Sequence, residues 1–137
     1  MGKDSGYLVF FEGTTTIDDA ERAFRKAGMF VTRTGDDLTV TWKNSPEFNI
    51  GINAKDWVPI EAEEVAERHQ LPAIAKCKRR FEVAFDDLEA VLDEYNTLFE
   101  TQMTLLTLTN GYCQNTWNGV LFLGNGDVCP CAECSPS

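Results

Sequence analysis

With 137 residues the chain fits one domain, large enough to bury roughly two thirds of its unfolded surface without a metal or disulfide staple. Hydrophobic residues make up 43% and charged residues 25%, a globular balance that excludes a wholly disordered chain. The 22 acidic residues against 12 basic ones give a formal charge of −10, a field that repels nucleic acid and anionic lipid and attracts basic proteins or cations.

In chain order, Tyr7-Leu-Val-Phe-Phe11 reads as a buried first strand. It is cut by Glu12, too soon for a signal-peptide core or a membrane span, and Gly6 stands where a myristoylation signal needs a hydroxyl. A helix from about Ile17 to Lys26 follows, capped by Thr16 and carrying Asp19 in its first turn, with Ile17, Ala20, Phe24 and Ala27 on one face. Gly28 ends it. Met29–Thr34 and Leu38–Trp42 form a hairpin through Gly35-Asp36-Asp37, and Phe48, Ile50 and Ile52 continue the meander, with Gly51 marking a bulge or a close approach.

Pro59 to His69 suits a second helix with proline in its first turn, stopped by Pro72. Phe81, Val83 and Phe85 alternate on a strand that leads through Asp86-Asp87 into one long helix. That helix carries the stripe Leu88, Val91, Leu92, Tyr95, Leu98, Phe99, Met103 and Leu106, expected to lie buried on the sheet. Asn110-Gly111 ends it, and Asn118-Gly119 predicts a two-residue hairpin turn between Tyr112–Trp117 and Val120–Leu123. The order β-α-β-β-β-α-β-α-β-β specifies an α+β fold: a mainly antiparallel sheet with helices packed on one face, compatible with a ferredoxin-like arrangement carrying an added strand and helix. Residues 1–124 are expected to form the single domain and 125–137 a flexible cysteine-containing tail.

The tail is the chemical oddity of the chain. Cys129, Cys131 and Cys134 stand within six positions and can supply three soft ligands, with Cys113 as a fourth thiolate or His69 as an imidazole, so zinc or copper binding or sensing is one expectation. The Cys131-Ala-Glu-Cys134 spacing lacks the helix N-terminus of a redox catalyst, and the neighbouring acids Asp127 and Glu133 oppose thiolate formation. An odd cysteine count, four of the five in the last 25 residues, does not resemble a secreted disulfide framework and points to the cytoplasm. His69, the single histidine, is expected at the exposed end of an acidic helix.

No H-E-x-x-H, P-loop, dinucleotide or hydrolase-elbow motif occurs, and the paired carboxylates sit mostly in turns and first helical turns, so no catalytic residue is assigned. The basic run Lys76, Lys78, Arg79 and Arg80 is short and lacks interleaved aromatics, which excludes a nucleic-acid platform. Two acidic patches remain: Glu61, Glu63, Glu64 and Glu67 on the second helix, and Asp86, Asp87, Glu89, Asp93 and Glu94 around the start of the next. With Trp57 as an exposed anchor, they predict a non-enzymatic cytoplasmic interaction domain that binds a basic protein, in the manner of an inhibitor or immunity protein. Its rivals are a metal-binding protein using the tail and a small enzyme with an acidic pocket.

Overall fold

A continuously apolar strand belongs at the centre of a sheet covered on both faces, and the first strand takes that place. The computed structural model describes residues 5–43, 45–124 and 127–129. β1 (Gly6–Phe11) pairs with β5 (Arg79–Ala84) on one side and β6 (Tyr112–Asn115) on the other. β2 (Phe30–Thr34), β3 (Asp37–Thr41) and β4 (Phe48–Asn53) extend the sheet beyond β5, and β7 (Leu121–Phe122) extends it beyond β6. The order is β2-β3-β4-β5-β1-β6-β7, with every neighbouring pair antiparallel.

Side chains of β1 alternate between two cores. Tyr7, Val9 and Phe11 face α1 (Ile17–Lys26) and α4 (Tyr95–Thr109), whereas Leu8 and Phe10 face α2 (Val58–His69). The short α3 (Leu88–Asp93) also contributes its buried Val91 to the first core. The unit β1-α1-β4-β5-α4-β6, with strand order β4-β5-β1-β6 and both helices on one face, is the ferredoxin-like arrangement; β2 and β3 are inserted at one edge and β7 at the other. The inserted α2 and the 3-10 turn Pro72–Lys76 cover the opposite face, through Val58, Ala62, Val65, Ala66 and Ile74.

Local chemistry explains the boundaries. Thr16 and Asp19 make a reciprocal capping box: the Asp19 amide donates to Thr16 Oγ1 (3.3 Å) and the Thr16 amide to Asp19 Oδ2 (2.9 Å). Arg25 ties α1 to the edge strand β2 by donating to the Val31 carbonyl (3.1 Å), a contact that occupies a backbone acceptor on a strand with an open side. Gly51 keeps a regular register opposite Glu82; a Cβ there would stand 2.9 Å from Asp37 Oδ1, so it marks a close approach and no bulge. Asn118-Gly119 fall inside a four-residue connection, 116–119, closed by Asn115 and Val120, which replaces the expected two-residue turn and lets Trp117 pack edge-on against Phe85 at 5.9 Å.

The long helix is broken. Glu94, at φ −108 and ψ 49, caps the C-terminus of α3 with its amide and accepts from the Thr97 and Leu98 amides at the start of α4 with its carbonyl. The buried core also runs past Leu123: Val128 bridges Phe122, the Cys129 amide donates to the Leu121 carbonyl (2.8 Å), and Cys129 is 2% exposed in the α2-side core. The expected tail boundary is therefore too early for residues 127–129.

Candidate functional site

The α2 surface is split between structural and free acids. Glu61 accepts from the buried Arg80 (2.6 Å), which also bridges Glu82 (2.7 Å), and Asn53 Nδ2 donates to the same Glu82 carboxylate (2.9 Å). The Arg80 guanidinium lies 4.8 Å from the Trp57 ring and 5.6 Å from Phe10, a cation–π arrangement that holds the start of α2 on the sheet. Trp57 thus commits one side to Arg80 and remains partly exposed on the other. Arg80, read in sequence as part of a surface basic run, is an interior residue, because its own strand turns it under α2. Glu63, Glu64 and Glu67 are exposed.

The α3–α4 surface has a different construction. Asp86, Asp87, Glu89, Asp93, Glu94 and Glu100 are all exposed, and Asp87 caps α3 by accepting from the Ala90 amide (3.1 Å). The expected apolar stripe does not all face inward: Leu92, Tyr95 and Phe99 are exposed, and the Tyr95 and Phe99 rings stack at 6.3 Å. In their place α4 buries Thr97, Thr101 and Gln102 beside Leu98, Leu105 and Leu106. Tyr7 Oη donates to Thr101 Oγ1 (2.8 Å), Thr101 Oγ1 donates to the Leu98 carbonyl (2.7 Å), and Gln102 Nε2 donates to Asn115 Oδ1 (2.7 Å). These bonds satisfy the interior polar groups and fix the rotation of α4.

A sequence signal for this surface exists. No Lys, Arg or His follows Arg80, while nine acidic residues do; residues 1–80 are nearly balanced, with 13 acids and 12 Lys or Arg. The net charge therefore lies almost wholly after Arg80, with seven of the nine acids between Glu82 and Glu100.

The thiols are distributed over both faces. Cys113 sits in the α4-side core, and Cys77 and Cys129 in the α2-side core, so the sheet stands between Cys113 and Cys129 and does not bring this pair to one metal. Cys131 and Cys134 lie outside the described residues. Among the described residues no three His, Cys, Asp or Glu side chains gather in a metal-binding cluster. Burial pushes the Cys77 thiol up to about 12, with Glu12 adding to the effect, and burial raises Cys113 as well. Both are neutral thiols near pH 7 and poor nucleophiles.

His69 is 1% exposed, contrary to the surface position expected for it. The last turn of α2 lies on the sheet and sets His69 Nε2 3.3 Å from Gln114 Nε2, while the His69 carbonyl is 3.8 Å from Cys129 Sγ. A hollow of about 380 Å³ between α1 and α4 is lined by Ala23, Ala27, Met103, Leu108, Lys26 and Glu100 among others. A second, of about 260 Å³, lies beside Met29 and Trp42 and again reaches Glu100. Neither brings a histidine, a thiol or a second carboxylate to Glu100. No described helix is long and apolar enough to cross a membrane. Comparison with protein-family models, with curated proteins and with solved structures gave no match to this chain.

Proposed function

We propose that the protein is a non-enzymatic interaction domain of the cytoplasm that binds a basic protein through its acidic helical surface, as an inhibitor or immunity protein does. The observation that carries this reading is the segregation of charge: nine acids and no Lys, Arg or His after Arg80, six of those acids exposed between Asp86 and Glu100. Such a one-signed field accelerates encounter with a cationic partner and discourages nucleic acid, anionic lipid and like-charged proteins. The raised pKa of Cys77 and Cys113, and hollows that bring no histidine, thiol or second carboxylate to Glu100, give the enzyme alternative no comparable support.

The reading is tested by immobilising the full chain and capturing proteins from an extract of the source cells at about 0.15 M salt, where charges interact over roughly 8 Å, and again at about 1 M, where the range falls to roughly 3 Å. Stoichiometric capture of a protein with a basic binding face, released at the higher salt, is expected. A retained partner with an acidic or neutral face, or one indifferent to salt, contradicts it.

A further inference from the structure

We infer that the partner-binding surface is the α3–α4 elbow, with Leu92, Tyr95 and Phe99 as its apolar centre and Asp86, Asp87, Asp93, Glu94 and Glu100 as its rim, and that it takes an arginine-bearing amphipathic segment of a basic protein. This rests on the proposed reading of a basic partner and assigns that partner to one of two acidic helical surfaces.

The rotation of α4 carries the argument. A helix free to choose would turn its aromatics toward the sheet and Thr97 and Thr101, on its other side, toward water. Here Thr101 and Gln102 are 0% and 2% exposed, and Tyr95 and Phe99 are 52% and 39% exposed. The sheet imposes this orientation through Tyr7 on Thr101 and Asn115 on Gln102, two anchors on adjacent central strands. Interior threonines whose polar atoms are satisfied, on the far side of the helix from aromatics left in water, break the local pattern in the way binding surfaces do. The break at Glu94 adds Leu92 to the exposed set.

The chemistry of the surroundings selects the occupant. Asp93 and Glu94 precede Tyr95 directly, and Glu100 follows Phe99. A guanidinium can stack on an aromatic face and hydrogen-bond a neighbouring carboxylate at once, which ammonium groups do less well. A second copy of the same acidic face would meet it with like charge. The α2 surface also exposes Ile60 and one side of Trp57, but the Arg80 guanidinium already covers the other side of that ring and holds Glu61, so it lacks a stacked aromatic pair beside uncommitted acids.

The test uses the 15N-labelled full chain and a helical peptide of leucine and arginine as probe, beside a leucine and glutamine peptide of the same pattern, at physiological salt. Amide shifts centred on 86–100 are expected, with the glutamine peptide silent. The exposed pair Tyr95→Ala and Phe99→Ala should weaken the arginine peptide by roughly tenfold or more. Asp93→Asn with Glu94→Gln, which leaves the aromatics in place, should weaken it and flatten its salt dependence. Reversal of Glu63, Glu64 and Glu67 to lysine should change it by less than about threefold. Shifts centred on 61–67 overturn the assignment of the surface and leave the basic-partner reading standing. Equal binding of the glutamine peptide, or a dimer of the free chain dissolved by Tyr95→Ala, overturns the assigned occupant. Silence of the arginine peptide overturns the inference, while salt-released capture of a basic protein decides the parent reading independently.

Discussion

The two acidic helical surfaces, α2 and the α3–α4 elbow, carry similar charge and are built in opposite ways. α2 turns Val58, Ala62, Val65 and Ala66 inward and ties its neighbouring tryptophan to a buried arginine, so its acids surround a surface whose aromatic is already in use. α4 turns Thr101 and Gln102 inward and leaves Tyr95 and Phe99 in solvent, so its acids surround an unoccupied aromatic pair. Charge alone does not separate the two. What separates them is where each helix finds partners for its polar interior groups.

The comparison breaks first at Arg80. Its removal empties the space between Phe10 and Trp57 and leaves the partly solvated Glu61 and Glu82 without their shared cation, so Arg80→Ala should destabilise the fold by about 2 kcal/mol, chiefly through lost packing, read by denaturant titration. Arg80→Met, which keeps volume, should lose less. On the α4 side, Tyr7→Phe leaves Thr101 without its donor and should lose about 1 kcal/mol, whereas Thr101→Val strands the Tyr7 hydroxyl in the core and should lose about 2 kcal/mol. The double variant should recover much of the larger loss, a non-additivity that a double-mutant cycle measures directly.

Alkaline pH sharpens the same contrast. The folded-state values of Tyr7, Cys113 and Cys77 are raised by burial above ordinary values of 10.0 for tyrosine and 9.0 for cysteine. Below about pH 9 both folded and unfolded chains keep these protons, and the stabilisation is fully present. Above it the unfolded chain releases protons that the folded chain retains, so stability falls as pH rises toward the raised values, about 12 for Cys77. Melting temperatures between pH 8 and 11 should decline, and Cys113→Ala and Cys77→Ala should each flatten the decline. At acid pH the sign reverses: Asp19, held low by its Thr16 hydrogen bonds, and Glu21, held low by Arg33 and Arg25, contribute stability present above ordinary values of 3.8 and 4.5 and lost below them. Tyr95→Ala and Phe99→Ala, at half-exposed rings outside the core, should each lose about 1 kcal/mol or less.

Much of the fold is legible in the residues. The continuous run Tyr7–Phe11 announces a central strand, Thr16 and Asp19 spell a capping box, Pro59 places the second helix, and alternation at Phe81, Val83 and Phe85 places β5. The order of elements follows from these, and so does the α+β class. Other features depend on partners distant in sequence. The inward turn of Thr101 requires Tyr7, 94 positions away, and the burial of His69 requires the strand that carries Gln114, 45 positions on. A hydrophobic stripe counted along one helix contains neither. Arg80 reads as surface because a charged residue beside Lys78 and Arg79 gives no sign that Phe10, Trp57 and Glu61 will enclose it. The charge segregation after Arg80, by contrast, is plain in sequence and needed only to be counted by segment.

The most direct measurement is the affinity of the leucine and arginine peptide for three proteins at one salt concentration: the natural chain, the Tyr95→Ala and Phe99→Ala variant, and the chain with Glu63, Glu64 and Glu67 reversed to lysine. Loss of about tenfold or more in the aromatic variant, with the reversed chain close to the natural one, is the predicted result. Full affinity in the aromatic variant together with loss in the reversed chain would place recognition on α2 and contradict the account.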